Sequence, residues 1–335
     1  MWDFSLGGAF GLLLRTMPFI VLRILVYFGI TLAYVLVTGI GAGIGFGVGA
    51  LGSSGFQAGA TFWGGAIGFG LVGAVAYWAR EYILYLVKAG HTAVLVELMD
   101  GRALPPGKSQ IAHGKEVVTA RFAQASVLFG VDQLIKGVLR AVTRLVQGLL
   151  SMLPVQGVRQ LGSILQAFLK VGVGFIDEVI LAYCIRTGSN TPWSSSRQAL
   201  VLYGQNYKIM LKNAAWLVVI VYLISFLVFV LMLGPAAYII YLMPGGWSAG
   251  AFVFALLMAW SIKAAFLEPL AITCLMQVYF KAIEGQQPEP EWDAKLEQMS
   301  DKFRTLKQRA LGEQQTPATD VASTAAQAQG PGSLP

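Results

Sequence analysis

Two adjacent acids, Asp177 and Glu178, lie inside the apolar segment Leu161–Ile185 and are the side chains best suited to chemistry. A carboxylate in apolar surroundings near lipid is expensive to bury and usually faces a cavity or a charged partner. The two acids are therefore candidates for binding a cation or relaying protons. The structural alternative is that they pair with Lys170 or Arg186, or lie among the lipid headgroups. Because adjacent helical positions point about 100° apart, one ligand is not expected to engage both.

A second candidate pair, Lys263 and Glu268, lies at the end of a later apolar run. Residues five apart do not face each other on a regular α-helix, but Pro269 removes a backbone donor and distorts a helix locally. We therefore expect Lys263 and Glu268 to form a structural salt bridge. The alternative is that the two residues lie beside a substrate path. Asp132 and Lys136 are four residues apart and predict an ordinary helical ion pair without a chemical role.

The sequence contains no recognisable enzymatic motif. Its two histidines, His91 and His113, lie apart from clustered Cys, Asp or Glu residues, which argues against a metal site. The serine run Ser194–Ser196 has no nearby histidine and no G-x-S-x-G elbow. A glycine-rich stretch lacks the Gly-Lys-Ser/Thr ending of a phosphate loop. We therefore expect no catalytic residue, no metal and no cofactor, and we exclude a self-contained ATP-driven pump.

Six glycines in the first apolar run alternate with other residues. On a helix they form two ridges on opposite faces, which permits close helix contact on two sides. The functional interpretation is a pore lining, or a gate where a helix unwinds around a substrate. The structural interpretation is tight packing, within a hairpin or between subunits. The six residues are Gly39, Gly41, Gly43, Gly45, Gly47 and Gly49.

Two long runs without Asp, Glu, Lys or Arg position these residues. Ile24–Ala79 and Asn213–Ile262 are each long enough for two crossings and a turn, because one helix needs about 20 apolar residues to cross about 30 Å of hydrocarbon. The predicted fold class is an all-α, polytopic helical membrane protein. It has two transmembrane hairpins, hence four crossings, and a central set of amphipathic or re-entrant helices.

The positive charges indicate how the chain is oriented. All 24 Lys and Arg residues lie outside the two runs. By the positive-inside rule, both termini and the region 80–212 are cytoplasmic, and the turn of each hairpin faces out. The net charge of +7 is then explained by topology and by attraction to anionic lipid headgroups, not by nucleic-acid binding. The expected location is the bacterial inner membrane.

The chain divides into six parts by composition. In the central part, Glu116–Leu150 reads as a cationic amphipathic helix suited to the headgroup plane. Leu161–Ile185 is too short and too charged for a simple span, which indicates a re-entrant or interfacial helix. The six parts are an interfacial lead-in (1–23), a glycine-rich transmembrane hairpin (24–79), cytoplasm-side amphipathic and re-entrant helices (80–212), a second transmembrane hairpin (213–267), an interfacial segment with a heptad-patterned helix (268–312) and a disordered tail (313–335).

Six apolar residues before the tail step by four and three, which is the heptad pattern of a coiled coil. About three heptads leave two alternatives open: subunits that associate through this seam, or a helix that folds back on its own protein. The residues are Trp292, Leu296, Met299, Phe303, Leu306 and Ala310.

The stretch Leu200–Ala214 (LVLYGQNYKIMLKNA) forms a polar lead-in to the second hairpin. A crossing, a basic amphipathic helix and an interfacial segment precede it, and the hairpin, Phe266–Glu284 and a charged tail follow. This order, over about residues 60–300, resembles the C-terminal half of choline-transporter-like membrane proteins. The resemblance implies movement of choline or a similar organic cation. The chain is too short for that family's larger set of crossings, and no site residue is carried over.

These observations favour a passive or secondary pathway for a small solute, formed by the hairpins in a homo-oligomer because four helices make a narrow bundle. The pathway candidates are Asp177, Glu178, Lys263 and Glu268, with the glycine-rich hairpin as lining or gate. The alternative is a non-enzymatic membrane scaffold or accessory subunit. A pathway predicts a hydrated route past the acids, whereas a scaffold predicts glycines sealed by packing and acids paired with Lys170 and Arg186.

Overall fold

The computed structural model of this chain is built from helices joined by turns. It describes residues 2–122, 130–141, 175–188, 191–241, 255–256 and 258–315, and these confirm the all-α class. Four segments are long and apolar enough to cross a membrane, which matches the number of predicted crossings. They are Met17–Gly49, Ser54–Val75, Tyr207–Tyr238 and Met258–Ala282.

The helices follow the chain as α1 (Leu6–Arg15), α2 (Met17–Gly49), α3 (Ser54–Met99), α4 (Gln110–Phe122), α5 (130–141), α6 (Ile176–Arg186), α7 (Pro192–Gln205), α8 (Tyr207–Tyr241), α9 (Glu268–Ala282), α10 (Pro290–Met299) and α11 (Asp301–Gln315). Several predicted features lie outside the described residues. They are the re-entrant stretch up to residue 174, the turn of the second hairpin and the tail from residue 316.

Helix α1 ends, and α2 begins, before residue 23, the predicted end of the lead-in. The Thr16 N–H donates to the carbonyls of Leu12 and Leu13 and ends α1, and α2 begins at the next residue. Pro18 lies in the first turn of α2, where a missing N–H leaves no bond unmade. Arg23, which directly precedes the charge-free run, lies within α2 and is buried in the protein.

One glycine ridge holds the first hairpin together through backbone contact. A Cβ atom at Gly41 would overlap the carbonyl oxygen of Gly64, and a Cβ atom at Gly45 would overlap that of Ala60. Gly49 is closed in the same way by the backbone of Gln57. Such an approach is possible only where helices present small residues to each other. These three glycines therefore pack the hairpin.

The second ridge, formed by Gly39, Gly43 and Gly47, faces away from α3. A Cβ atom at any of the three would meet nothing within 4 Å. The neighbouring Ile40 and Ile44 are 61% and 64% exposed. The hairpin thus uses one ridge internally and presents the other outward.

Helix α3 continues far beyond the stretch that suits a membrane and ends at Met99. A turn that contains two glycines with positive φ follows it. Gly101 and Gly107 have φ values of 71° and 81°, which glycine adopts without the strain of a Cβ atom. They reverse the chain into α4, which returns so close to α3 that a Cβ atom at Gly114 would lie 2.5 Å from the carbonyl oxygen of Gly90.

The fourth crossing helix extends beyond the predicted hairpin end at residue 267. It runs to Ala282, and most of its apolar window is buried inside the protein. Pro269 does not break it because Lys263–Leu267 form a π-helical turn, in which the Glu268 N–H donates to the Lys263 carbonyl. The wider turn accommodates the proline, whose ring and missing donor would disturb a regular α-helix.

The segment with the heptad pattern folds back on its own protein. This agrees with the second of the two predicted alternatives. Leu296, Phe303 and Leu306 are buried and belong to the main hydrophobic core. Ser300 leaves the helical conformation, with φ −147° and ψ 113°, and its hydroxyl accepts a hydrogen bond from the Phe303 N–H. The predicted single helix is therefore split into α10 and α11, since this serine caps the second one.

The two ridges predict opposite effects of the same substitution. Gly45→Ala should lower the midpoint of thermal unfolding in dilute detergent, because overpacking against backbone costs about 1–3 kcal/mol. Gly43→Ala should leave it unchanged or raise it, because alanine is better in helices by up to about 1 kcal/mol and the space is open. Equal effects at the two positions would contradict the ridge assignment.

Candidate functional site

Charged and polar side chains from four helices meet where α2 begins and the later part of α3 passes it. Because α2 and α3 run antiparallel, these two parts lie at the same end of the first hairpin. Helices α5 and α6 complete the group with charges that act on those of α2 and α3. We call this group the basal charge cluster, and its members are Arg23, Lys88, His91, Asp132, Lys136, Asp177 and Glu178.

A buried ion pair joins α3 to α6 within this cluster. Lys88 Nζ lies 2.7 Å from Glu178 Oε1, and the two side chains are 26% and 7% exposed. Burial alone would shift both pKa values towards the neutral forms. The mutual attraction outweighs it, so the pKa of Lys88 is raised, and Lys88 together with Arg23 lowers the pKa of Glu178. Both groups are therefore charged, while Glu178 Oε2 is buried without a hydrogen-bond partner.

Asp177 turns towards a different partner, as its offset from Glu178 predicts. Its Oδ2 lies 3.8 Å from Lys136 Nζ, which forms a closer pair of 2.7 Å with Asp132 on α5. Burial raises the pKa of Asp177, and the negative charges of Glu178 and Asp132 raise it further. Asp177 therefore keeps a proton to a higher pH than an exposed aspartate does.

Arg186, one of the two cations predicted to pair with the acids, has a different partner. Arg186 pairs with Asp100, with 2.8 Å between Nη2 and Oδ1, and Lys170 lies outside the described residues. Helix α6 explains the change, because Glu178 lies in its first turn and Arg186 in its last. Lys88 is the cation that the fold brings to Glu178.

His91 is fully buried beside Arg23 and is fixed by two residues of the α1–α2 boundary. Its Nε2 lies 2.9 Å from Thr16 Oγ1, and its ring stacks on Phe19 with centroids 5.1 Å apart. The Thr16 hydroxyl donates to the Leu13 carbonyl, so it accepts from a protonated Nε2 and leaves Nδ1 as an acceptor. Burial, reinforced by the Arg23 charge, lowers the pKa of His91, and the ring is neutral.

Lys263 and Glu268 form the expected salt bridge, with 3.5 Å between Nζ and Oε1. The π-helical turn explains how residues five apart meet, because its hydrogen bonds link position i to position i+5. Asp132 and Lys136 likewise form the predicted helical pair. Both predicted ion pairs are therefore present in the structure.

Two surface cavities lie away from the predicted pathway residues. One, of about 550 Å³, has Tyr183, Arg186 and Phe280 among its lining residues, and the other, of about 280 Å³, has Glu97 and His113. The four pathway candidates line neither cavity; these are Asp177, Glu178, Lys263 and Glu268. In the part of the chain that the structure describes, no group of three His, Cys, Asp or Glu side chains could hold a metal ion.

Sequence reasoning missed Arg23, Lys88 and His91 as members of the site. Arg23 served only as a boundary, and the helical spacing of Lys88 and His91 on α3 carried no distinctive pattern. The sequence did contain one signal for this site, because Thr16, Phe19 and Arg23 share one helical face. Their neighbour His91 lies far away in the chain, so the sequence did not identify it. No family model, curated protein or solved structure matches this chain. The resemblance to choline-transporter-like proteins therefore stays a prediction.

The buried pair predicts strongly non-additive mutants. Lys88→Met and Glu178→Gln should each destabilise the protein, because breaking a buried pair leaves one charge uncompensated at a cost of about 3–5 kcal/mol. The double variant should lose much less than the sum, measured as the thermal unfolding midpoint in detergent. Arg304→Gln with Asp301→Asn is the exposed control pair and should change little. Additive losses at Lys88 and Glu178 would contradict the coupling.

Asp177→Asn should flatten the pH dependence of stability. The native state holds this proton to a higher pH than the unfolded chain, whose aspartate pKa is about 3.9. The group therefore stabilises the fold below that pH, and the contribution disappears as the pH rises through the raised native value. Unfolding midpoints across this range should fall less with pH in the variant, and Asp301→Asn is the exposed control. An unchanged slope would contradict the raised pKa.

Proposed function

We propose that this chain is a non-enzymatic scaffold or accessory subunit of a membrane assembly, whose first hairpin packs against a second copy. The outward ridge of Gly39, Gly43 and Gly47 carries the proposal. Glycine within a helix is about 0.5–1 kcal/mol less favourable than alanine. The described part of the chain gives no steric reason for these glycines, because a Cβ atom would meet none of its atoms within 4 Å. A closely packed neighbouring helix supplies that reason.

A second copy of the same chain is the occupant that suits this ridge. The run Ile24–Ala79 carries no Asp, Glu, Lys or Arg, so it offers no charge by which to recognise a different class of partner. The exposed flanks at Ile40 and Ile44 suit hydrocarbon or another apolar helix. Two copies related by a twofold axis would pack ridge against ridge, which is the self-complementary contact of most homodimers.

The remainder of the protein has the cross-links expected of a scaffold. Lys88 and Glu178 tie the first hairpin to α6. Asp293 of α10 pairs with Arg197 of α7 at 2.6 Å and with Lys307 of α11 at 2.7 Å. These pairs support a body whose helices stay in fixed positions, which suits a scaffold, with Lys88 in the place of the cations predicted for Glu178.

The placement in the membrane follows from the charges. In this proposal both termini and the region 80–212 face the cytoplasm of a bacterial inner membrane, because the basic residues lie on that side. Anionic headgroups are the lipid partners, since basic residues close to a membrane surface are attracted to them. The four apolar helices supply the crossings.

A solute pathway, with a choline-like cation as its suggested cargo, is the second candidate. The specific observation in its favour is the basal charge cluster, because ionisable groups beside membrane helices often mark ion or proton routes. In that case Asp177 and Glu178 would guard the inner mouth. The two functions differ in their response to substitution, since only the pathway requires these acids for flux.

Adding bulk to the outward ridge tests the scaffold proposal. The double substitution Gly39→Leu and Gly43→Leu should convert the oligomer into a monomer, because it blocks close helix contact. The readout is mass by light scattering in detergent and subunit energy transfer in vesicles.

Gly70→Leu is the matched control, because it adds the same side chain at an equally open position of α3. It should leave the oligomer intact. A wild-type monomer at all lipid-to-protein ratios, or an oligomer that tolerates both leucines, would contradict the proposal.

A further inference from the structure

Arg23 is a buried guanidinium without a counterion among the described residues. It is 1% exposed and stands among the largest fully buried side chains. Its Nε and Nη1 are buried and have no hydrogen-bond partner. A buried charge that lacks both an ion pair and hydrogen bonds is strongly destabilising, so a partner is required.

The surroundings of Arg23 are short of negative charge. Glu178 is the carboxylate whose pKa its charge helps to lower, but Lys88 holds that carboxylate at 2.7 Å. Two cations therefore share this acid, and Glu268, which also acts on Lys88, is paired with Lys263. His91 is neutral on one side of Arg23, and Tyr27 lies one helical turn further along α2. The remaining acid of α6, Asp177, faces Lys136 instead.

We propose that Arg23 binds a small anion at the base of the first hairpin, either a free inorganic anion or the phosphate of a lipid headgroup. A guanidinium is the side chain best suited to oxyanions, since its charge and its N–H donors act together. Water could satisfy the two donors but would leave the charge uncompensated. The buried acceptors Glu178 Oε2 and His91 Nδ1 do not favour an anion, because each requires a hydrogen-bond donor.

The two sources share one recognition chemistry and differ in their route. A free anion would enter from the aqueous side, past the half-buried Lys88. A headgroup phosphate would come from the membrane, because α2 is the first of the four helices suited to crossing it. Both would place negative charge beside Arg23.

Anion-dependent stability tests the site on the full-length protein. The thermal unfolding midpoint is measured in neutral detergent while sodium chloride or phosphate replaces sodium gluconate at constant ionic strength. Nanodiscs of phosphatidylcholine and of phosphatidylglycerol form the second arm. We expect a saturable rise in one arm, which is lost in Arg23→Gln. Arg15→Gln removes a nearby exposed charge of α1 and should retain the rise.

Each outcome decides the proposal. A rise in detergent identifies a free anion, and a rise only with phosphatidylglycerol identifies the headgroup. No anion dependence in either arm, or an equal dependence in Arg23→Gln, would overturn it. If Arg23→Gln does not fold, bromide is located by anomalous scattering in crystals of the wild-type protein grown without acidic lipid. When the rise occurs in detergent, a bromide peak beside the guanidinium supports the site, and its absence overturns it. When the rise occurs only with phosphatidylglycerol, the deciding observation is a headgroup phosphate beside the guanidinium in a structure determined in nanodiscs. Its presence supports the site, and its absence overturns it.

Discussion

Direct backbone contact between α2 and α3 is the constraint on which the rest of the protein depends. Gly41 and Gly45 admit the carbonyl oxygens of α3 where any Cβ atom would exclude them. This contact sets the register of the hairpin, and the register places Arg23 at the same end as Lys88 and His91. Without it, the charges of α2 and α3 would have no common partner in α6. The glycines therefore determine the geometry of the basal charge cluster indirectly, because they fix how α2 and α3 are aligned.

The cluster shows how the fold manages charge beside apolar helices. Taking ions out of water is expensive, and attraction recovers the loss only where geometry and hydrogen bonds are good. Lys88 and Glu178 meet the geometric condition through Oε1, although Oε2 has no hydrogen-bond partner among the described residues, and Lys136 pairs with Asp132 within one helix. Arg23 does not meet it with the described residues. The same cluster thus combines a structural cross-link with a group that requires an outside partner.

Local sequence patterns predicted the elements better than their partners. Charge-free runs predicted crossing helices because span length and hydropathy are properties of a single segment. Alternating glycines predicted two ridges, but the choice of the inner ridge depends on how the turn at Ser53 aligns two helices. The pairing of Lys88 with Glu178 joins residues 90 positions apart, and no local period encodes it. The π-helical turn at Lys263–Leu267 was also missed, since only the packed structure shows how Pro269 is accommodated.

A structure of the full-length protein determined in lipid nanodiscs would show what covers the outward ridge. We expect an oligomer in which α2 of one subunit crosses α2 of its neighbour at Gly39, Gly43 and Gly47, at a backbone distance that excludes side chains. It also predicts that the ridge of Gly41 and Gly45 is closed by α3. Lipid acyl chains covering the outward ridge of a monomer would contradict the account. A hydrated route that passes Asp177 and Glu178 would contradict it equally and would favour a pathway.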